Sequence, residues 1–497
     1  MGVKYQHPDY KAMMPQWKRC RDAAAGQSAV HAAGEAYLPR LKDQTDKEYA
    51  AYLGRTPFFG ATWRTLAAML GLIFRKPPTI DVPEAAAEMV EDVTLSGVPL
   101  DAFAKTLVEE ALTVNRVGVL VDYPQSSPGA TLADAALLGL RPSLCMYCAE
   151  SIINWRFEKI GNAHQLTMVV LAEQRLDRKD EFEDEPTDQW RVLDLERQEG
   201  GTVRYRVRVF EVQKDPVTGK EIDVVVEGPA YPMLGGKHLD FIPFSFMSVD
   251  DLTPTVDLPP LVDLVDMNYA HYLVSADYEH GCHFAGLPTP VVTGYTPQNG
   301  PNGEPPEKLY IGSAAAWVFP QPDAKAYFLE FEGQGLDALE KNLSRKENQM
   351  AILGARLLEA PKKGVEAAET AGIHRAGENS VLASVAQTLS EGLEKALELF
   401  ILWAGIDGEV EFHLNRDFFP MPMSSDELTA LTQALLQGAI SFETYFAQLQ
   451  AGEIIVATRT VEEEEAARKK DKPDDQAAAQ KQPPAKQPEP QEPSEIE

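Results

Sequence analysis

Between Pro259 and Glu359 the chain carries two stretches of helical character and nearly equal length, separated by an insert that no helix could cross. The first, PPLVDLVDMNYAHYLVSADYEHGCHF, runs from Pro259 to Phe284, and the second, QGLDALEKNLSRKENQMAILGARLLE, from Gln334 to Glu359. At 1.5 Å rise per residue each would be about 39 Å long. The insert, LPTPVVTGYTPQNGPNGEPPEKLYIGSAAAWVFPQPDAKAYFLEFEG, is rich in Pro and Gly and prone to strands. The expected arrangement is two sides of one stalk with a compact module held at its far end.

The two stretches differ in charge. The first holds four carboxylates, Asp263, Asp266, Asp277 and Glu279, and neither Lys nor Arg, whereas the second carries Lys341, Arg345, Lys346 and Arg356. Such helices are suited to pairing between neighbouring copies. The plainer reading is ordinary solvated charge, since exposed pairs contribute only ~0 to 1 kcal/mol each.

A chain of 497 residues with 44% hydrophobic content and six Trp has material for two or three packed regions. No apolar run approaches the ~18 residues of a membrane span, so no membrane partner is expected. The N-terminal MGVKYQHPDY lacks a signal-peptide core and Gln6 departs from the myristoylation pattern, so the expectation is assembly in a cytoplasm. Four cysteines are too few and too scattered for a disulfide framework. A net charge of −30 excludes a protein that clamps nucleic acid, because tight non-specific binding needs Lys and Arg to displace counterions from phosphates. It does not exclude a protein that lets DNA slide.

Elsewhere the texture alternates between helix and strand. Phe59, Trp63, Leu66, Leu70 and Ile73 are spaced for one helix face, which Pro77 and Pro78 terminate. Leu100, Phe103, Leu107, Ala111 and Val114 mark a second amphipathic helix leading into VGVLVDYP, a buried strand that ends at Pro124. From Glu150 to Met247 alternation predicts an antiparallel sheet, clearest in TVRYRVRVFEV, where Val203, Tyr205, Val207 and Val209 share one face and Arg204, Arg206 and Arg208 the other. The arginine row reads as solvated or ion-paired rather than as a nucleic-acid stripe. A loop, APKKGVEAAETAG, precedes a long helix from about Ile373 to Trp403 with the stripe Leu382, Val385, Leu389, Leu393, Leu397 and Phe400. Glu409 to Asp417 reads as a strand, Ser424 opens a helix with Glu427 as capping-box partner, Gly438 breaks it, and Phe442 to Gln450 resumes it. The tail from Glu462 onward has six prolines, no aromatic residue and a net charge of −5, a composition expected to be disordered.

Catalytic signatures are weak. Cys145 and Cys148 form a CxxC that fits a redox pair or half a zinc site, but nothing spaced to complete a tetrahedral shell accompanies it. His280, Cys282 and His283 are neighbours in sequence, yet successive helical residues point apart, which favours structural roles. Gly235, Gly236 and Lys237 are followed by His238 and are preceded by no glycine at Tyr231, so the phosphate-binding loop of ATPases is missing. The expectation is a protein with no catalytic residues, no cofactor and no metal.

Several segments in a fixed order, FRKPPTI with its preceding aromatic helix, RVGVLVDYP, AESIINWRFE, PPLVDLVDMNYAHYLVSADYEH, ENQMAILGARLLE and ENSVLASVAQTLSEGLEKAL, together resemble the portal proteins of tailed bacteriophages. The resemblance spans residues 58 to about 400. It implies an α+β portal fold: a wing of helices and antiparallel sheet over 1–257, a two-helix stem at 258–284 and 334–359, and a small α/β clip at 285–333. A tunnel loop would follow at 360–372, a long wing helix and strand at 373–423, short crown helices at 424–455, and the disordered acidic tail at 456–497. A long crown barrel is not evident, because helical character fades by about Ile455.

For function, the resemblance implies a ring, a dodecamer in the family's usual form, at one capsid vertex, with localisation in the virion and, during assembly, the host cytoplasm. DNA would be packaged and ejected through it. The implied partners are double-stranded DNA in transit, the terminase large subunit, a neck or adaptor protein, and the major capsid and scaffold proteins. Within that frame the carboxylates Asp263, Asp266, Asp277 and Glu279 are candidates to dominate a channel wall. Lys362 and Lys363 of the loop, with Lys341 and Arg345, are candidates to touch the DNA backbone. Two other readings compete: a neck adaptor, which is typically much smaller and lacks paired stem helices, and a metal or redox enzyme built on Cys145 and Cys148.

Overall fold

The computed structural model describes residues 2–124, 140–199, 201–217, 219–286, 289–296, 317–319, 321–329, 335–354, 368–416, 418, 423, 425–452, 454–455 and 459–471. The chain divides into two compact units, Met1–Arg416 and Asp417–Glu497, and is α+β throughout the first.

The larger unit begins with helices α1 (Pro8–Ala25), α2 (Gln27–Ala33), α3 (Asp46–Arg55) and α4 (Ala61–Ile73). Their ends are written locally. Pro8 stands in the first turn of α1, where a missing N–H costs nothing, and α3 opens with a capping box between Thr45 and Glu48. In α4 the residues Leu66, Leu70 and Ile73 are buried as their spacing predicts, but Trp63 is 48% exposed. The reason is that α4 starts only at Ala61, so Phe59 does not share its wheel; the inward face centres on Thr62, Thr65, Leu66 and Ile73, leaving Trp63 at its margin.

After the short α5 (Ala87–Val90), α6 (Leu100–Val114) buries all five of its expected stripe residues. It ends on Asn115 in the left-handed conformation and passes directly into β2 (Val117–Asp122). That strand is the centre of a three-stranded antiparallel sheet, flanked by β3 (Ser143–Cys148) and β11 (Phe244–Met247). Gly118 lets this sheet close: a Cβ there would lie 2.2 Å from Cζ of Phe244 and 2.9 Å from Cδ1 of Ile152.

A second sheet is a five-stranded antiparallel meander of β4 (Ile152–Ile160), β5 (Ala163–Arg178), β6 (Asp184–Arg197), β7 (Val203–Lys214) and β8 (Glu221–Ala230). The alternation in β7 is realised as read. Tyr205, Val207 and Val209 are buried, while Arg204 meets Glu196 at 2.6 Å, Arg206 meets Asp194 at 2.5 Å and Arg208 meets Asp194 at 3.2 Å. The arginine row is therefore paired with carboxylates of β6, the adjacent strand. Two-residue strands β9 (Met233–Leu234) and β10 (Lys237–His238) form a small hairpin before β11.

Two long helices follow, α7 (Val262–Gly286) and α8 (Leu336–Leu353), and between them β12 (Thr289–Thr293) pairs antiparallel with β13 (Lys325–Leu329). Helix α9 (Ala368–Trp403) starts five residues before the expected Ile373, so 368–372 is helical where a loop was expected. This stretch, AETAG, has helix-forming alanines and no proline, and it simply extends the turn pattern backwards. The stripe Leu382, Val385, Leu389, Leu393, Leu397 and Phe400 is buried. The expected 409–417 strand shortens to β14 (Glu411–His413), which pairs with β1 (Thr79–Asp81); just past it the Leu414 N–H donates to Ser390 Oγ of α9 (2.9 Å).

In the smaller unit α10 (Ser425–Leu436) ends near Gly438, whose φ of 71° suits glycine, and α11 (Phe442–Ala451) begins with Ser441 as cap. The tail is helical at its start, over α12 (Val461–Asp471), contrary to the expected disorder. Thr460 and Glu463 cap it reciprocally at 3.2 Å, and Glu462, Glu463 and Glu464 fill its first turn, as the helix dipole prefers. The rest of the expected disordered tail, 472–497, lies outside the described residues.

Candidate functional site

The antiparallel pair α7/α8 is the element around which the larger unit is organised. Helix α7 is used on three sides. Val265, Tyr269, Tyr272 and Ala276 recur at helical spacing and enter a core with Cys20, Ala23, Val30, Leu38, Tyr49, Tyr52 and Phe58 of the N-terminal helices and loops. Aromatic packing dominates this contact: Tyr37 stacks on Tyr269 with centroids 4.4 Å apart, and Phe58 meets Tyr272 edge-on at 5.6 Å.

A second side touches α4 through Asn268, which is fully buried. Its Oδ1 accepts from the Thr62 N–H (3.3 Å) and the Thr62 hydroxyl (3.0 Å), and its Nδ2 donates to the Phe59 carbonyl (2.8 Å). Because Gly60 at the start of α4 has no side chain to cap the helix, a residue of α7 supplies the cap.

The third side packs on α8 in close register. Leu336 lies against Gly281, where a Cβ would come within 2.6 Å of Leu336 Cδ2. Glu347 meets Nε2 of His271 at 3.3 Å, and Gly354 closes against Leu264 and Thr65, where a Cβ would lie within 2.9 Å of both. Burial lowers the pKa of His271, opposed by the neighbouring Glu347.

The remaining side of α7 is open. Asp263, Asp266, Leu273 and Asp277 follow one another by three, seven and four residues, one helical stripe, and all are exposed. Asp266 meets Arg19 at 2.6 Å, and the same guanidinium lies 5.3 Å from the Tyr269 ring centre. Glu279 does not join them: it falls on the side of Asn268 and Ser275. Lys341 and Arg345 are exposed on the face of α8 opposite α7, with Asp337, Ser344, Asn348 and Ile352. The structure thus brings three of the four acidic candidates onto one stripe and sets the basic pair apart from it. Lys362 and Lys363 lie outside the described residues.

The cysteine and histidine motifs do not converge. Cys145 and Cys148 stand three apart on β3, so their side chains leave opposite faces of the strand, and burial raises both thiols above their ordinary range. His280 packs edge-on to Tyr52 and Phe284, a structural setting. Among the described residues no three His, Cys, Asp or Glu side chains are grouped to hold a metal ion, and no helix is long and apolar enough to cross a membrane.

Sequence reasoning missed Asn268, His271 and Arg116. The Arg116 guanidinium is buried between Trp155 and Phe246, 4.1 Å and 4.6 Å from their ring centres, and donates to the carbonyls of Pro254 and Thr255 just before α7. The one available signal was a polar or charged residue inside an otherwise apolar run.

Residues 260–404, which hold this hairpin and α9, match a family described as a domain of unknown function, DUF4055. No curated protein matches the chain. Among solved structures, the chain is similar to one from the neck of an empty GTA particle computed with C6 symmetry, at 13% identity and a TM-score of 0.38, covering 85% of this chain and 98% of that one.

Proposed function

We propose that this chain is a portal protein: one subunit of a ring at a capsid vertex of a tailed bacteriophage, through which DNA is packaged and later leaves. One observation carries the reading. A 25-residue helix devoid of Lys and Arg is folded back on by a second helix, and the intervening chain contains the β12/β13 hairpin. In this reading α7 and α8 are the stem, β12 and β13 belong to the clip, and the two sheets, the N-terminal helices and α9 are the wing. Helices α10 and α11 are the crown. The clip would meet the terminase motor first and a neck protein later.

The chemistry of the stem supports a conduit rather than a clamp. Duplex DNA presents a phosphate every ~1.7 Å of axis, so a basic wall would hold it by counterion release. The stripe Asp263, Asp266 and Asp277 on α7 is acidic and lets the duplex pass. Lys362 and Lys363, ahead of α9, are the residues assigned to transient contact with the DNA backbone.

A charge of −30 on each chain repeated over a dodecamer gives roughly −360, so ring closure works against self-repulsion and is favoured by salt. Sedimentation velocity at increasing ionic strength tests this. The expected result is a large oligomer that becomes more prevalent with salt or divalent cations; a chain that stays monomeric in every buffer contradicts the proposal.

A further inference from the structure

The outer face of α8 is exposed and carries Lys341 and Arg345 together with Asp337. Among the described residues neither has a carboxylate partner within the chain; Arg345 bonds only Asn342, at 3.1 Å. On α7 the open stripe carries Asp277, which among the described residues forms no ion pair with Lys or Arg, and Leu273, an apolar residue left 41% exposed between acids. Two cations without an ion pair on one side of the hairpin, and a carboxylate without one on another, are what a heterologous contact between identical chains requires.

The register of the hairpin makes this specific. Gly281 packs against Leu336, His271 against Glu347 and Leu264 against Gly354, so one helix descends residue for residue as the other ascends. Lys341 is therefore level with Asp277, and Arg345 with Leu273. Rotation about an axis parallel to the hairpin keeps every residue at its own height. A neighbouring copy related by that rotation presents its Asp277 at the height of Lys341 and its Leu273 at the height of Arg345.

We infer that the outer face of α8 docks on the acidic stripe of α7 in the next copy, with Lys341 and Arg345 both directed to Asp277. Lys341 approaches it at the same level. Arg345, one turn away along the stem, lays its methylene stem over Leu273 and extends its guanidinium about 5.4 Å to the carboxylate. Charge complementarity within a single sequence selects a second copy as the occupant. Since α7 has no Lys or Arg, its free carboxylates can be neutralised only from another element, and Asp266 is already held by Arg19. This assignment rests on the ring proposed above and turns that part of the stripe toward the next copy: it takes Lys341 and Arg345 out of the set that contacts DNA and Asp277 out of the channel wall.

The test is a full-length chain carrying Lys341→Cys and Asp277→Cys together with Cys282→Ser, oxidised under assembling conditions and run on a non-reducing gel. Lys341 points away from α7 of its own chain, so a disulfide can form only between copies. The expected result is a ladder of covalent multimers that neither single-cysteine chain gives. Rings that sediment normally yet show no ladder overturn this contact while leaving the ring intact. A chain that forms no ring at all removes the contact and its parent reading together. A charge exchange checks the sign: Lys341→Glu with Arg345→Glu raises the concentration for half-assembly about tenfold, since each subunit loses the pair on both sides, and adding Asp277→Lys restores it. If the added change weakens assembly further, the pairing is wrong.

Discussion

Replacing Asn268 by Ala removes the side chain through which α7 caps α4. The cost follows from its three hydrogen bonds. Thr62 is 1% exposed, so its N–H finds no water once Oδ1 is gone, and an unpaired buried donor costs about 1–3 kcal/mol. The Thr62 hydroxyl is free to rotate to another acceptor, and the Phe59 carbonyl still accepts from the Ala61 N–H (2.8 Å), so these two add little. The small cavity left by the amide brings the total to about 2–3 kcal/mol.

Whole-chain unfolding does not resolve the opening of a single helix end. Hydrogen exchange at the first-turn amides of α4 reports the local opening directly. With each tenfold worth about 1.4 kcal/mol, the Thr62 amide should exchange roughly 30 to 150 times faster in the variant. Thr62→Val, which loses only the hydroxyl, should change it little. An acceleration below threefold for Asn268→Ala would refute the cap and the coupling of α7 to α4.

Three further outcomes follow from the same packing. Arg21 of α1 bonds Glu110 of α6 at 2.7 Å and also bonds Glu150, so Arg21→Leu leaves two carboxylates facing each other; a loss of about 2–4 kcal/mol should appear as a lower melting temperature, partly recovered by Glu110→Gln, and an unchanged melt contradicts it. Gly118→Ala should cost about 1–3 kcal/mol through the Phe244 clash and be relieved by Phe244→Leu; relief without that second change would mean the sheet yields instead. Burial depresses the pKa of His271 from its ordinary 6.5, so the folded chain binds its proton less readily than the unfolded one. Stability is therefore unaffected well above 6.5 and is lost as pH falls below it. Melting temperatures at pH 7.5 and 5.5 should diverge less in His271→Gln than in the unmodified protein; an equal divergence removes His271 as the cause.

What could be read from the sequence was what is local. The stripes of α6 and α9 are fully buried because a 3.6-residue period in apolar residues has one inward solution, and β7 alternates as a half-covered strand must. Trp63 misled because periodicity does not mark where a helix begins. The α12 helix was missed because composition averaged over the whole tail conceals eleven residues whose charges suit a helix. Asn268 was illegible for another reason: its partner Thr62 is 206 residues away, and nothing near either residue announces the contact. The candidate charges were legible as a set, but their division between an acidic stripe and an opposite basic face depends on the register of α7 with α8. Glu279 left the stripe on the same ground, by angle alone.

The central claim is annular assembly around a passage for duplex DNA, and electron micrographs of the purified full-length protein under assembling salt test it most directly. The account predicts uniform rings, viewed end-on, with an open centre wide enough for a double helix. Particles that remain solid and compact at high protein concentration, with no annular view, would contradict it.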